Sequence, residues 1–117
     1  MKSVMIHGKL PSLNEYIDAC RRNRYQAAKM KRDAEELISV QALRLDRITE
    51  PVVMRFVWYE SSRKRDPDNV CAARKFVLDA LQKIGKLRND NSRYIAGFVD
   101  EFVYGKGQGV FIEVIRA

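Results

Sequence analysis

The chain of 117 residues is the right length for one domain, and its 46% hydrophobic and 32% charged residues indicate a packed core rather than a disordered segment. Its formal net charge of +7 and isoelectric point near 9.6 favour a polyanionic partner, of which nucleic acid is the commonest. No apolar run reaches the roughly 18 residues of a membrane span and the first residues lack a signal-peptide pattern, so we expect a single cytoplasmic domain over residues 1–117 with no membrane partner.

The N-terminal part of the chain predicts one strand followed by helical structure. Side chains that alternate between two faces, with Val4 and Ile6 on one and Ser3 and Met5 on the other, predict a strand at about residues 2–8. Ser12 and Glu15 then have the spacing of a capping box, which marks the start of a helix. Apolar residues at helical spacing continue over about residues 25–45. The arginine-rich segment 21–24 interrupts them, which leaves open whether there are two helices or one bent helix.

The remainder of the chain predicts three strands and one major helix. Residues 51–59 are almost continuously hydrophobic, as expected for an interior strand with one face under helices. The next helix ends at Gly85, and strands at about 94–104 and 109–115 follow, joined by a glycine-rich hairpin connection. The order β-α-β-α-β-β predicts an α/β (α+β) fold of two layers, with a mixed four-stranded sheet and the long helices packed on one face.

The segment 63–69, Arg-Lys-Arg-Asp-Pro-Asp-Asn, links the interior strand to the major helix. Pro67 keeps Asp66 out of the α region, because the proline ring clashes with the residue before it. Asp66 and Asp68 lie two apart, so in an extended segment both side chains point the same way. Two ionised carboxylates about 5 Å apart repel by about 3 kcal/mol at an effective dielectric constant near 20. The pair therefore either caps the helix or is held together by a cation.

Oxygen ligands of this kind suit Mg²⁺, or alternatively Mn²⁺, rather than zinc. His7 is the only histidine, and the two cysteines form no CxxC pair, so a zinc centre is not expected. Asp90 is well placed to be a third metal ligand, because it lies in the loop that returns from the helix to the sheet. Asp79 lies within the helix, about 16 Å along the axis from Asp68, and is interpreted as structural.

Several motifs, taken together and in order, resemble the RusA family of Holliday junction resolvases. They are Gly8-Lys9-Leu10-Pro11-Ser12-Leu13-Asn14, Arg65-Asp66-Pro67-Asp68-Asn69, Leu78-Asp79-Ala80-Leu81, Gly85 and Asn89-Asp90. The resemblance implies a homodimeric, Mg²⁺-dependent endodeoxyribonuclease of DNA recombination and repair, which nicks symmetric strands of four-way DNA junctions. The family's three metal-binding, catalytic aspartates fall on Asp66, Asp68 and Asp90.

The chain departs from the family pattern at two positions. The catalytic lysine that the family carries four residues after its second aspartate is replaced by Ala72. Arg74 or Lys75, on the same helix, would supply the charge, or no residue does. The position before the third aspartate, often acidic in the family, is Asn89.

The clustered cations suggest how DNA would be held. Arg63, Lys64 and Arg65 are expected to bind phosphates beside the acidic pair, with Arg74 and Lys75 adding to them. Binding should weaken as salt rises, because neutralised phosphates release counterions.

Two other functions are compatible with the same residues. One is a non-catalytic junction- or duplex-binding protein whose carboxylates only cap a helix. The other is a general metal-dependent nuclease acting on flaps or single strands.

Overall fold

A computed structural model describes all residues from 1 to 117, and the element order is the predicted one except that each helical region is divided in two. The strands are β1 (Ser3–His7), β2 (Val52–Glu60), β3 (Ile95–Tyr104) and β4 (Gly109–Arg116). The helices are α1 (Leu13–Arg22), α2 (Arg24–Gln41), α3 (Pro67–Cys71) and α4 (Arg74–Lys83). The predicted α+β fold with a mixed four-stranded sheet is confirmed.

The sheet has the strand order β1-β4-β2-β3. β2 lies inside the sheet, where it pairs in parallel with β3 and antiparallel with β4. β1 pairs antiparallel with the other side of β4. The interior position predicted for β2 is therefore confirmed, and it follows from a sequence that is hydrophobic on both faces of the strand.

The hairpin predicted between the last two strands is wrong. β3 and β4 are not neighbours, because β2 lies between them. The glycine-rich connection instead passes the end of β2, where the Gly105 amide donates to the Glu60 carbonyl at 2.8 Å. Gly105 and Gly107 have φ angles of +85° and +102°, a region that glycine adopts without steric cost. The glycines therefore serve a crossing between non-adjacent strands.

One core joins the sheet to the helices. Alternate residues of β2, namely Met54, Phe56 and Trp58, belong to the same buried cluster as residues of α2 and α4. From the helices, Ile38 and Leu81 are fully buried in that cluster. Since alternate residues of a strand point to opposite faces, the helices and these β2 side chains share one face of the sheet.

Side-chain caps explain how the helices begin. The capping box predicted at Ser12 and Glu15 is present, with the Glu15 amide donating to Ser12 Oγ at 3.1 Å. Asn23 separates α1 from α2, and its side chain accepts from the Gln26 amide at 2.9 Å. An asparagine favoured at a helix start thus divides this region into two helices.

The helix that follows the acidic segment is interrupted at Ala72 and Ala73. Both alanines remain near helical dihedrals, with ψ angles of −23° and −12°, which are close to 3₁₀ geometry. The Phe76 amide accordingly bonds to the Ala73 carbonyl three residues back, at 3.0 Å. A tightened turn, rather than a glycine or proline, therefore separates the short α3 from α4.

The other face of the sheet carries no helix of this chain. On β2 it presents Arg55, whose guanidinium forms ion pairs with Glu101 at 2.8 Å and Glu113 at 3.2 Å. The strand registers place Val99 and Ile115 on the same face, and these are 42% and 40% exposed.

None of the helices is both long and apolar enough to cross a bilayer.

Truncating a buried leucine of α4 tests the shared core. We expect Leu81→Ala to lower the free energy of unfolding by about 3 kcal/mol, because the fully buried side chain leaves a cavity. Leu43→Ala is the matched control, since Leu43 is 58% exposed and its loss should change stability by less than about 0.5 kcal/mol. Urea unfolding followed by circular dichroism measures both, and equal losses would contradict the assigned core.

Candidate functional site at the junction of β2 and α3

Arg65 holds the segment between β2 and α3 against the rest of the protein. Its Nε and Nη2 donate to the two carboxylate oxygens of Glu60 at 2.8 and 3.0 Å. Its Nη1 donates to the Leu10 carbonyl at 2.8 Å and to Glu15 at 3.0 Å. One guanidinium therefore joins the end of β2 to the turn that precedes α1.

The Arg65 contacts are largely sheltered from water. The side chains of Arg65 and Glu60 are 15% and 6% exposed. Burial alone would lower the pKa of Arg65, but the hydrogen bonds and charges of Glu60 and Glu15 outweigh it and raise that pKa. For Glu15, burial would raise the pKa, and hydrogen bonds from Arg65 and Ser12 lower it instead. Arg65 and Glu15 are thus held in their charged forms.

This geometry gives Arg65 a structural role, and its binding of phosphate stays a prediction. The sequence suggested a phosphate-binding cation, but four of its donor contacts already go to Glu60, Leu10 and Glu15. The side chain points into the protein because Glu60 is buried at the end of an interior strand and requires a partner. Arg65 is therefore a structural anchor of the junction.

A second contact brings the two motif-bearing segments together. The backbone amide of Asn14 donates to Asn69 Oδ1 at 3.1 Å. Together with the bond from Arg65 to the Leu10 carbonyl, it attaches the turn before α1 to the acidic segment. Segments that are 55 residues apart in the sequence are thus neighbours in the fold.

Asp66 and Asp68 are exposed on this anchored segment. Asp66 is extended, with φ of −67° and ψ of 153°, as Pro67 at the first helical position requires. Although Asp66 occupies the N-cap position of α3, its side chain makes no capping hydrogen bond. Asp68 follows in the first turn, and its carboxylate likewise makes no hydrogen bond or ion pair within the protein. Side-chain capping therefore does not explain the pair.

The lack of a partner sets these two carboxylates apart from most acidic residues of the chain. All but four of the 15 Asp and Glu side chains form ion pairs, and the exceptions are Asp18, Glu36, Asp66 and Asp68. Only Asp66 and Asp68 among these lie two residues apart. They concentrate uncompensated negative charge on one short segment of a basic protein.

Asp90, the third predicted ligand, has a different environment. It accepts from Lys75 Nζ at 3.3 Å, and the same ammonium contacts Asp79 at 3.1 Å. Lys31 lies on the other side of Asp79, at 3.5 Å. Lys31, Asp79, Lys75 and Asp90 thus form a chain of alternating charges, named here the lysine–aspartate chain. Hydrogen bonding to Asp79 and then to Asp90 raises the pKa of Lys75.

The three predicted metal ligands are not assembled in one cluster. No group of three or more His, Cys, Asp or Glu side chains is placed to hold a metal ion, and Asp90 is paired with Lys75 instead. The Asp66–Asp68 pair nevertheless has the donor chemistry that Mg²⁺ accepts. This ion commonly binds one or two carboxylates and completes its shell with waters and substrate phosphates.

The remaining predicted DNA-binding cations fall into two groups. Arg74 is paired with Asp100, and its guanidinium carbon lies 4.3 Å from the centre of the Phe98 ring. Arg63 lies over the Tyr104 ring at 4.4 Å, and Lys64 is exposed. Arg63 and Lys64 are thus accessible to a ligand, whereas Arg74 is engaged in an internal ion pair.

Asp100 was not identified from the sequence. It lies on β3 opposite Phe56, where it also accepts from Trp58 Nε1 at 2.9 Å. Its position in the middle of a strand, without a neighbouring motif, gives no local signal. Burial, followed by the charge of Asp100, raises the pKa of the Cys71 thiol, which keeps it in the unreactive protonated form.

Comparison with known proteins assigns the chain to no family. No family model matches it, and no curated protein does either. The resemblance to RusA resolvases therefore stays a prediction drawn from the sequence motifs.

Removing the Arg65 side-chain charge tests its anchoring role. We expect Arg65→Met to lower the free energy of unfolding by about 3 kcal/mol, because it leaves the carboxylate of Glu60 buried without its cation. Arg63→Met, two residues away and exposed, should cost less than about 1 kcal/mol. Guanidinium unfolding of both variants makes the comparison. Equal small losses would show that the Glu60–Arg65 pair does not anchor the junction.

Proposed function

We propose that the protein is a Mg²⁺-dependent endodeoxyribonuclease that resolves four-way DNA junctions by nicking symmetric strands. The observation that carries the proposal is the Asp66–Asp68 pair, two exposed and unpartnered carboxylates on a segment anchored by Arg65. Two carboxylates brought close together repel each other, and a divalent cation between them would relieve the repulsion. The net charge of +7 supports a polyanionic substrate.

In this proposal, each part of the site has a defined task. Asp66 and Asp68 offer oxygen ligands, and Mg²⁺ or Mn²⁺, when bound, polarises the phosphate and lowers the pKa of a bound water. Asp90 would join the ligand set by giving up its contact with Lys75. Lys75, which is 66% exposed, would then be free to contact a phosphate oxygen. This exchange favours Lys75 over Arg74 as the replacement for the family lysine, since Arg74 is held by Asp100.

Accessible cations close to the acidic pair would hold the DNA backbone. Arg63 and Lys64 immediately precede the anchored segment and lie exposed on its surface. Their contacts would be with phosphates, which position a strand without reading its sequence. The proposed setting is the cytoplasm, during recombination and repair of DNA.

A homodimer would supply two such sites for two symmetric strands. The face of the sheet that no helix covers suits a second copy of the chain, because it combines exposed Val99 and Ile115 with Arg55 between two glutamates. In a two-fold contact, Arg55 of each copy can approach the glutamates of the other. The apolar residues around this ion-pair group would then be buried.

Replacing one carboxylate separates the nuclease from a non-catalytic DNA-binding protein. We expect Asp68→Asn to reduce Mg²⁺-dependent nicking of a four-way junction at least about 100-fold, since even mutations behind metal ligands cost 10–100-fold. Junction binding should be retained, and chelation of the metal should abolish nicking by the unchanged protein. Asp18→Asn, which also removes an unpaired carboxylate, is the control and should cleave normally.

Undiminished cleavage by Asp68→Asn would refute the metal site. If the unchanged protein binds junctions but never nicks them with Mg²⁺ or Mn²⁺, the non-catalytic alternative is correct. Flaps and duplexes of the same length serve as competing substrates. Faster cleavage of a flap than of a four-way junction would instead favour the general structure-specific nuclease.

Placing a charge on the open sheet face tests the homodimer. We expect Val99→Asp to weaken self-association at least about tenfold, because a third carboxylate beside Arg55, Glu101 and Glu113 would be buried in the contact with only one cation to share. Val40→Asp is the matched control, since Val40 is 64% exposed on α2, away from this face. Sedimentation velocity over a range of concentrations measures the dissociation constant. A monomeric unchanged protein, or equal effects of both changes, would contradict the assignment.

A further inference from the structure

A cavity of about 350 Å³ lies between α1, α2 and α4. Its volume is at the lower end of the range for small-molecule sites. Apolar lining comes from Leu13 and from the rings of Tyr16 and Phe76, whose centroids are 5.4 Å apart in an edge-to-face arrangement. The cavity therefore offers aromatic surface to a flat, unsaturated ligand.

Three members of the lysine–aspartate chain also line this cavity. Asp79 lies between Lys31 and Lys75, with each carboxylate oxygen close to one ammonium group. The Asp79 side chain is only 15% exposed. Each lysine has three donors, and each carboxylate oxygen has more than one acceptor position. Donors and an acceptor thus lie side by side, next to the aromatic surface.

The cavity adjoins the proposed nuclease site through a single side chain. Lys75 lines the cavity and also contacts Asp90 at 3.3 Å. A DNA strand bound beside Asp90 would therefore pass close to the cavity. A ligand belonging to that strand, rather than a free metabolite, is the simplest occupant.

We propose that this cavity receives a nucleobase turned out of the stack beside the cleaved phosphate. Aromatic surface stabilises the face of an unstacked base, and adjacent lysine donors and a carboxylate acceptor match a base edge that carries a carbonyl next to an amino group. Turning a base out of a duplex costs its stacking and pairing energy, and this cost is smaller where the strand is already unpaired. The proposal rests on the nuclease function and adds a determinant of where the strand is cut.

Direct binding of single nucleotides tests the cavity without any cleavage. Deoxyguanosine, deoxycytidine, deoxyadenosine and thymidine monophosphates are titrated separately into the ¹⁵N-labelled protein, with deoxyribose 5-phosphate as the baseless probe. We expect amide shifts centred on Tyr16 and Asp79 for deoxyguanosine and deoxycytidine monophosphates, and much weaker binding of the baseless sugar phosphate. Equal binding of the baseless probe would show an anion site only and overturn the proposal.

Two variants and a matched control locate the binding. Lys31→Gln removes the charged ammonium group and should weaken nucleotide binding roughly tenfold, the cost of a hydrogen bond to a charged group. Leu13→Trp fills the cavity from a position that is 40% exposed, so it should abolish binding while leaving the fold intact. Lys29→Gln alters a lysine on the same helix that pairs with Asp33, and it should have no effect. Binding unaffected by Leu13→Trp would place the nucleotide elsewhere.

Junction cleavage separates failure of this inference from failure of the proposed nuclease. We expect an abasic site beside the cleaved phosphate to slow cleavage by the unchanged protein, and to have no further effect on Leu13→Trp. Normal cleavage by Leu13→Trp of an intact junction would overturn the cavity proposal and leave the nuclease standing. Nucleotide binding by a protein that nicks no DNA would support base binding in the cavity and contradict the proposed nuclease.

Discussion

The ion pair between Arg65 and Glu60 is the contact on which the candidate site depends. Glu60 ends an interior strand and is 4% exposed, so its charge requires a partner close at hand. Arg65 provides that partner and reaches the turn before α1 with the same guanidinium. As a consequence, the backbone at Asp66 is held in position, although the Asp66 side chain forms no capping hydrogen bond and no ion pair. The exposed carboxylates are held in place by a buried salt bridge, not by their own interactions.

Charge pairing also explains why a basic protein can present an acidic site. Most carboxylates are paired with lysine or arginine, and these pairs connect distant elements, as between Lys83 on α4 and Glu35 on α2 at 2.7 Å. Unpaired negative charge then remains at very few positions. Asp66 and Asp68 are the only two that share a segment, so unpaired negative charge is concentrated there.

The sequence was sufficient for the features that depend on neighbouring residues. The capping box at Ser12 follows from local spacing, as does the extended Asp66 before Pro67, and the interior position of β2 follows from its own composition. The sequence was insufficient where a residue far away in the chain decides which contacts a side chain or a strand makes. Arg65 lies in a run of three cations, and its contacts with Leu10 and Glu15, which are 55 and 50 residues away in the sequence, distinguish it from Arg63 and Lys64. The insertion of β2 between β3 and β4 likewise depends on long-range pairing, whereas a short glycine-rich loop ordinarily indicates a hairpin.

The tightened turn at Ala72 and Ala73 sets the rotation of α4 relative to α3. Asp68 lies on α3, which is tied to the N-terminal turn, Lys75 lies on α4, and both helices contribute residues to the shared core. A single residue inserted after Ala73 would turn the start of α4 by about 100° relative to α3. It would alter either the contact of Lys75 with Asp90 or the burial of the α4 side chains in the core. The phase of a helix, and not only the identity of its side chains, would then decide which contacts the site keeps.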